Sequence, residues 1–164
     1  MSENITIMQG LSKEEKYVAL IPQLIALTEG EDDLIANAGN IIAALKETFS
    51  FFWIGVYFVK EKKGKQVLLL GPFQGPPACV QIEKGRGVCG SAWDTKQSII
   101  VDDVDQFPGH IACSVFSKSE IVVPLIKNNI VCGVIDVDSK LLSDFDDIDR
   151  KYLEEIALLI SKMI

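Results

Sequence analysis

Four cysteines, at positions 79, 89, 113 and 132, are the side chains of this sequence best able to make and break covalent bonds. The thiolate is the reactive form, and at an unperturbed pKa near 8.5 only ~3% of a thiol is ionised at pH 7. Placement therefore decides which cysteine reacts. Cys113 falls in an irregular stretch, Cys89 follows the turn Gly85-Arg86-Gly87 at the start of a short helix, and Cys79 opens a strand straight after Gly75-Pro76-Pro77. A helix N-terminus lowers a thiol pKa, and three thiols so placed suggest redox exchange. Cys132, between Val131 and Gly133 in an apolar run, reads as an inert buried thiol. Cys79, Cys89, His110 and Cys113 have the ligand count of a zinc site. Nine and twenty-three residues separate the cysteines, however, where structural zinc modules use closely spaced pairs. No metal is expected, and His110, the single histidine, reads as a solvated or turn-forming imidazole.

Aromatic rings and carboxylates form the second group. Successive side chains of a strand alternate between its faces, so Trp53, Gly55 and Tyr57 point the same way, with a gap between two rings where the glycine has no side chain. Cys132, Val134, Asp136 and Asp138 likewise share a face, and the two carboxylates leave it ~6.6 Å apart. Two acids on one face raise each other's pKa or need a cation. The plain alternatives are simple core aromatics and a strand running out into solvent.

A frame must hold these groups. Helical periodicity covers Lys13 to Thr28, where Pro22 is expected to kink or restart the helix, and Asp32 to Phe49. Strand patterns follow at Phe52 to Val59, Gln66 to Leu70, Ala78 to Ile82, Ser98 to Val101, Glu120 to Ile126 and Ile130 to Asp138, interrupted by a short helix from about Val88 to Thr95. Asp102 to Ser119 is the longest irregular stretch and the expected functional loop. Pro124 lacks an N–H, which predicts a bulge or an unpaired edge. An amphipathic helix from Ser143 to Ile164 closes the pattern, with Ser143 and Asp146 at capping-box spacing. Short turns between neighbouring strands require antiparallel pairing. The class is therefore α+β, one antiparallel sheet covered by helices, in a single domain over residues 1–164.

With 48% hydrophobic and 24% charged residues, the chain of 164 fits neither disorder nor low complexity. Sixteen basic against 23 acidic residues give a net charge of −7 at pH 7, which disfavours nucleic acid and anionic membranes as partners. No run approaches the ~18 apolar residues of a membrane span, and the first residues lack a basic-then-apolar leader, so a cytoplasmic location is expected. Structural disulfides rarely persist there.

Six separated motifs in order carry a resemblance: Trp53-Ile54-Gly55-Val56-Tyr57, Gly71-Pro72-Phe73-Gln74-Gly75 followed by Ala78-Cys79, Gly85-Arg86-Gly87-Val88-Cys89-Gly90, Gly109-His110-Ile111-Ala112-Cys113, Ser119-Glu120-Ile121-Val122 and Asp136-Val137-Asp138-Ser139. From about residue 15 to 160 the chain resembles the free methionine-R-sulfoxide reductases, which are single GAF domains. The resemblance implies six antiparallel strands with helices on both faces, and free methionine-(R)-sulfoxide as substrate. Cys113 would be the nucleophile, with Cys79 and Cys89 as resolving thiols. Trp53 and Tyr57 would wall the pocket for the substrate methyl group, while Glu120 and Asp138, supported by Asp136, would bind the polar sulfoxide end. No cofactor is implied beyond reducing equivalents from thioredoxin. The analogy with domains that pair through helices suggests a homodimer. Ser114 departs from the family, which usually has an aspartate there.

Strand register tests this transfer. If Asn128-Asn129 is a two-residue turn, Lys127 pairs with Ile130 and Glu120 faces Val137, on the opposite side of the sheet from Asp138. A shared site therefore requires an odd loop or a bulge between Glu120 and Val131. The alternative readings are a GAF module that binds a small ligand without chemistry, and a redox sensor whose signal is disulfide formation.

Overall fold

Ser12 and Glu15 cap each other's backbone amides in a capping box, and from there helix α1 runs Lys13–Thr28. It is a single uninterrupted helix with Pro22 inside, so the expected restart does not occur. The computed structural model describes residues 4–109 and 114–164. Helix α2, Leu34–Phe49, starts on Asp33, whose side chain accepts from the Ala36 amide. The strands are β1 (Trp53–Lys62), β2 (Lys65–Gln74), β3 (Gln81–Ile82), β4 (Ile99–Val101), β5 (Ser119–Lys127) and β6 (Ile130–Ser139). Helix α3 (Gly87–Thr95) lies between β3 and β4, a 3₁₀ turn occupies Val104–Gln106, and α4 (Asp147–Met163) follows β6. Among the described residues no helix is long and apolar enough to cross a membrane.

The strands form one antiparallel sheet in the order β3-β2-β1-β6-β5-β4. Alternation gives it two apolar faces. On one, Ile54, Val56, Phe58, Ile121, Val123, Ile135 and Val137 join the buried stripes of α1, α2 and α4. On the other, Trp53, Tyr57, Leu68, Val122 and Val134 meet Val88, Ala92 and Trp93 of α3. This is the expected α+β architecture, one six-stranded antiparallel sheet with helices on both faces.

The required irregularity is present. Lys127 pairs with Ile130 and Ile126 with Val131, but Leu125 pairs with Gly133, leaving Cys132 as the extra residue of a bulge. From there on the register is shifted by one, and Glu120 sits directly opposite Asp138. Pro124 lies beside this bulge, beyond the end of β4, whose last partner is Val122. A second bulge lies between β1 and β2: Gly55 pairs with Phe73 but Tyr57 with Leu70, so Gly71 and Pro72 share the space opposite Val56. That bulge lets β2 continue through a proline to Gln74, beyond the expected end at Leu70.

Three local expectations need correction. Cys132 is half-buried, because the bulge gives the inward position to Val131. Helix α4 starts at Asp147 with Asp146 as its cap and Asp149 as the reciprocating acid, three residues later than the Ser143–Asp146 box. Asp149, 1% exposed, also accepts from the Tyr17 hydroxyl (3.0 Å) and the Lys13 ammonium (2.6 Å). That tertiary anchor fixes the start, and Ser143 instead takes a turn conformation with φ of 51°. The third strand pairs only at Gln81–Ile82, so Cys79 precedes it rather than opening it.

Candidate active site

Two rows of side chains cross the sheet on the α3 face. Trp53 of β1, Asp138 of β6 and Glu120 of β5 form one row; Gly55, Asp136 and Val122 form the next. Of these, Trp53, Asp138, Glu120 and Asp136, together with Tyr57, Ala78, Val88, Cys89, Arg86, Ser114 and Ser117, line a cavity of about 40 Å³. The enclosed space exceeds the ~10–15 Å³ that one water requires.

The aromatic wall is fixed from several sides. The Trp53 ring leans over Gly55, where an added Cβ would lie 2.4 Å from a Trp53 ring carbon, so the glycine accommodates the indole rather than leaving an open gap. Phe73 stacks against the indole at 5.6 Å between centroids, and Tyr57 at 6.1 Å. The indole N–H donates to the Pro76 carbonyl (3.0 Å), and the Tyr57 hydroxyl donates to the Cys79 carbonyl (3.0 Å). Both rings thereby hold the segment that carries Cys79. Cys79 itself is disulfide-bonded, whereas Cys89 and Cys132 are free thiols. Cys113 and His110 lie outside the described residues.

Opposite the rings are three carboxyls. Glu120 is 6% exposed and Asp136 7%. Burial, reinforced by the neighbouring acids, pushes both well above the usual carboxylate range. Burial also pushes Asp138 up to about 6, against the opposing effect of a hydrogen bond from Ser117. At neutral pH the cluster therefore retains protons, which a carboxyl can donate. One Asp136 oxygen, Oδ1, is buried with no hydrogen-bond partner among the described residues.

Cys89 is the third residue of α3, but the helix N-terminus does not make it a thiolate. Complete burial, followed by the fields of Asp136 and Glu120, pushes its pKa well up and keeps it protonated. Desolvation beside acids outweighs the helix dipole here. The structure thus brings Trp53, Tyr57, Cys89, Glu120, Asp136 and Asp138 into one pocket, with Cys79 held against its aromatic wall. Arg86, Ser114 and Ser117 also line it. Sequence patterning had not assigned them a role, because turn and loop residues carry no periodicity that reveals the direction of a side chain.

A GAF domain family model matches residues 28–164. The chain is 54% identical over 160 residues to "GAF domain-containing protein A" of Dictyostelium discoideum, covering 98% of this chain and 99% of that one. It is 38% identical over 167 residues to a free methionine-R-sulfoxide reductase of Saccharomyces cerevisiae, covering 98% and 92%. Among solved structures, the free methionine-R-sulfoxide reductase of Neisseria meningitidis in complex with its substrate superposes with a TM-score of 0.94 at 42% identity, covering 99% of this chain and 95% of that one. By these matches, which span nearly its whole length, the chain belongs to the free methionine-R-sulfoxide reductase family of GAF domains.

Proposed function

We propose that this protein reduces free methionine-(R)-sulfoxide to methionine, with Cys113 as the nucleophile and Cys79 as the resolving thiol. The Cys113 thiolate attacks the sulfoxide sulfur while a carboxyl of the Glu120–Asp136–Asp138 cluster protonates the sulfoxide oxygen. The oxygen passes to Cys113 as sulfenic acid, and methionine leaves with the electron pair. The Cys79 thiol then condenses with the sulfenic acid, forming the disulfide and releasing water. A dithiol such as thioredoxin attacks that disulfide, becomes oxidised and restores both thiols. The net change is one sulfoxide and one dithiol converted to one thioether, one disulfide and one water.

The observation that carries this reading is the buried acid cluster facing the Trp53–Tyr57 wall, with a disulfide-bonded cysteine anchored to that wall. Rings on one side and protonated acids on the other favour one oxygen direction, which discriminates R from S. Cys89, free and held as a thiol, contributes to the acid side of the pocket rather than to the first disulfide. A reducing cytoplasm, where thioredoxin is regenerated, suits the cycle.

The test supplies each free methionine sulfoxide enantiomer with thioredoxin, thioredoxin reductase and NADPH. NADPH consumption is expected with R only, and is lost in Cys113→Ser. In Cys79→Ser a single equivalent of methionine should form, with turnover then slowed. Equal use of both enantiomers, or an undiminished Cys113→Ser variant, overturns the reading.

A further inference from the structure

Three donor atoms from three elements converge beneath the aromatic wall: Cys89 Sγ of α3, a Glu120 carboxylate oxygen of β5 and an Asp136 carboxylate oxygen of β6, all within 4.8 Å of one another. All three residues are buried. The separately observed Asp136 Oδ1, buried in the same pocket, has no hydrogen-bond partner among the described residues, and a buried acceptor left so is costly unless something approaches it. Among the described residues that line the cavity, Arg86 is the one cation, and it is exposed at the rim. The interior thus offers one sulfur and several oxygen donors.

We propose that this pocket binds a thiophilic divalent cation of the zinc class through Cys89, Glu120 and Asp136, and that the bound cation blocks the reductase. The inhibition clause rests on the proposed function; the binding clause does not. The donor set selects the metal. Magnesium and calcium take oxygen ligands and gain nothing from a thiol, whereas zinc, cobalt and cadmium accept thiolate and carboxylate together. Bond lengths of ~2.3 Å to sulfur and ~2.1 Å to oxygen require the three atoms to draw in by an ångström or less. Binding exchanges protons for the cation: the Cys89 S–H proton and any carboxyl protons pass to solvent as metal–sulfur and metal–oxygen bonds form. This donor set is distinct from Cys79, Cys89, His110 and Cys113, which sequence spacing had argued against. It depends on the sheet register that brings Glu120 beside Asp136, which no motif spacing displays.

Cobalt(II) is the probe, because a thiolate-to-cobalt charge-transfer band reports a Co–S bond directly. Cobalt chloride is titrated into the oxidised protein in chelator-free buffer, so that the disulfide-bonded Cys79 is unavailable as a ligand. One equivalent is expected to bind with a charge-transfer band, which free methionine, bound to the same pocket, diminishes. The band should persist in Cys132→Ser and vanish in Cys89→Ser. Asp136→Asn, which keeps the side-chain shape, should weaken binding at least tenfold and gives the reading if Cys89→Ser fails to fold by circular dichroism. No saturable band, a band retained in folded Cys89→Ser, or unchanged affinity in Asp136→Asn overturns the site. Zinc should in parallel inhibit sulfoxide reduction, with full recovery on adding a chelator; zinc-insensitive turnover in a protein that binds cobalt overturns the inhibition clause. Cobalt binding in a protein that reduces no sulfoxide leaves the site standing and removes the proposed function, so the two fail separately.

Discussion

Replacing Asp138 with asparagine should stabilise the protein in a strongly pH-dependent way while impairing catalysis. In the fold, burial pushes the Asp138 carboxyl up to about 6 from an ordinary value of 3.8. A folded pKa above the unfolded one means that the fold holds the proton more tightly, so stability falls as pH rises from about 3.8 towards 6 and stays low above it. Two pH units correspond to about 3 kcal/mol at ~1.36 kcal/mol each. The groups facing Asp138 deepen this cost. Its charge raises the pKa of Glu120 opposite on β5, Asp136 on β6, Cys89 on α3 and Tyr57 on β1, and a hydrogen bond from Ser117 works in the opposite direction on Asp138. Asparagine cannot ionise, so Asp138→Asn should gain about 3 kcal/mol at pH 8 and almost nothing at pH 4. For a chain of this size that is a rise in Tm of roughly 6–12 °C at pH 8. Thermal and urea unfolding followed by circular dichroism at pH 4, 6 and 8 measures it, with kcat/KM for the sulfoxide falling in the same variant. A stability change equal at pH 4 and pH 8, or a loss at pH 8, refutes the account of a strained acid cluster.

Gly55→Ala places a Cβ 2.4 Å from the Trp53 ring and 2.7 Å from Phe73 Cβ. The indole must move, with an expected cost of about 1–3 kcal/mol, a changed tryptophan fluorescence spectrum and a higher KM for the sulfoxide; unaltered fluorescence and KM would contradict the role given to the glycine. Deleting Cys132 removes the extra residue of the β6 bulge, so Gly133 follows Val131 directly and Glu120 stays opposite Asp138 in a regular ladder. The folded deletion variant should therefore retain sulfoxide reduction, as should Cys132→Ala within about twofold, since substitutions outside a site have small effects; a folded deletion variant that has lost the activity would count against the register argument.

Much of this site was legible because chemistry constrains register. Period-two alternation placed Trp53 with Tyr57 and Asp136 with Asp138, and the need for Glu120 to meet Asp138 predicted an irregularity that the structure locates between Leu125 and Ile126. The bounds of α1, Lys13–Thr28, followed from spacing alone, since Ser12 and Glu15 cap it locally. Features settled by distant contacts were not legible. The start of α4 depends on Lys13 and Tyr17, more than 130 residues earlier in the chain, gripping Asp149. The state of Cys89 depends on acids from two strands, which reverse what its helix position implies. Cys132 reads as buried from its neighbours, yet the bulge that it forms turns it partly outward.

Both halves of the pocket depend on a fault in sheet pairing. In a regular β1–β2 register, Gly55 would face Pro72, and Phe73 would point to the opposite side of the sheet, away from the indole that it now stacks against. In a regular β5–β6 register, Glu120 would leave the acid cluster. Each bulge forgoes ladder hydrogen bonds, and each moves one side chain to the face where the sheet has no structural use for it: a third ring against two, a third carboxyl against two. Carboxyls gathered in a buried pocket cost a fold stability, and a ligand that accepts a proton or brings a positive charge offsets that cost. In the proposed function the free amino acid sulfoxide would do both, through its oxygen and its ammonium group. A sulfoxide within a peptide chain lacks that ammonium, and the same acids would then oppose its entry.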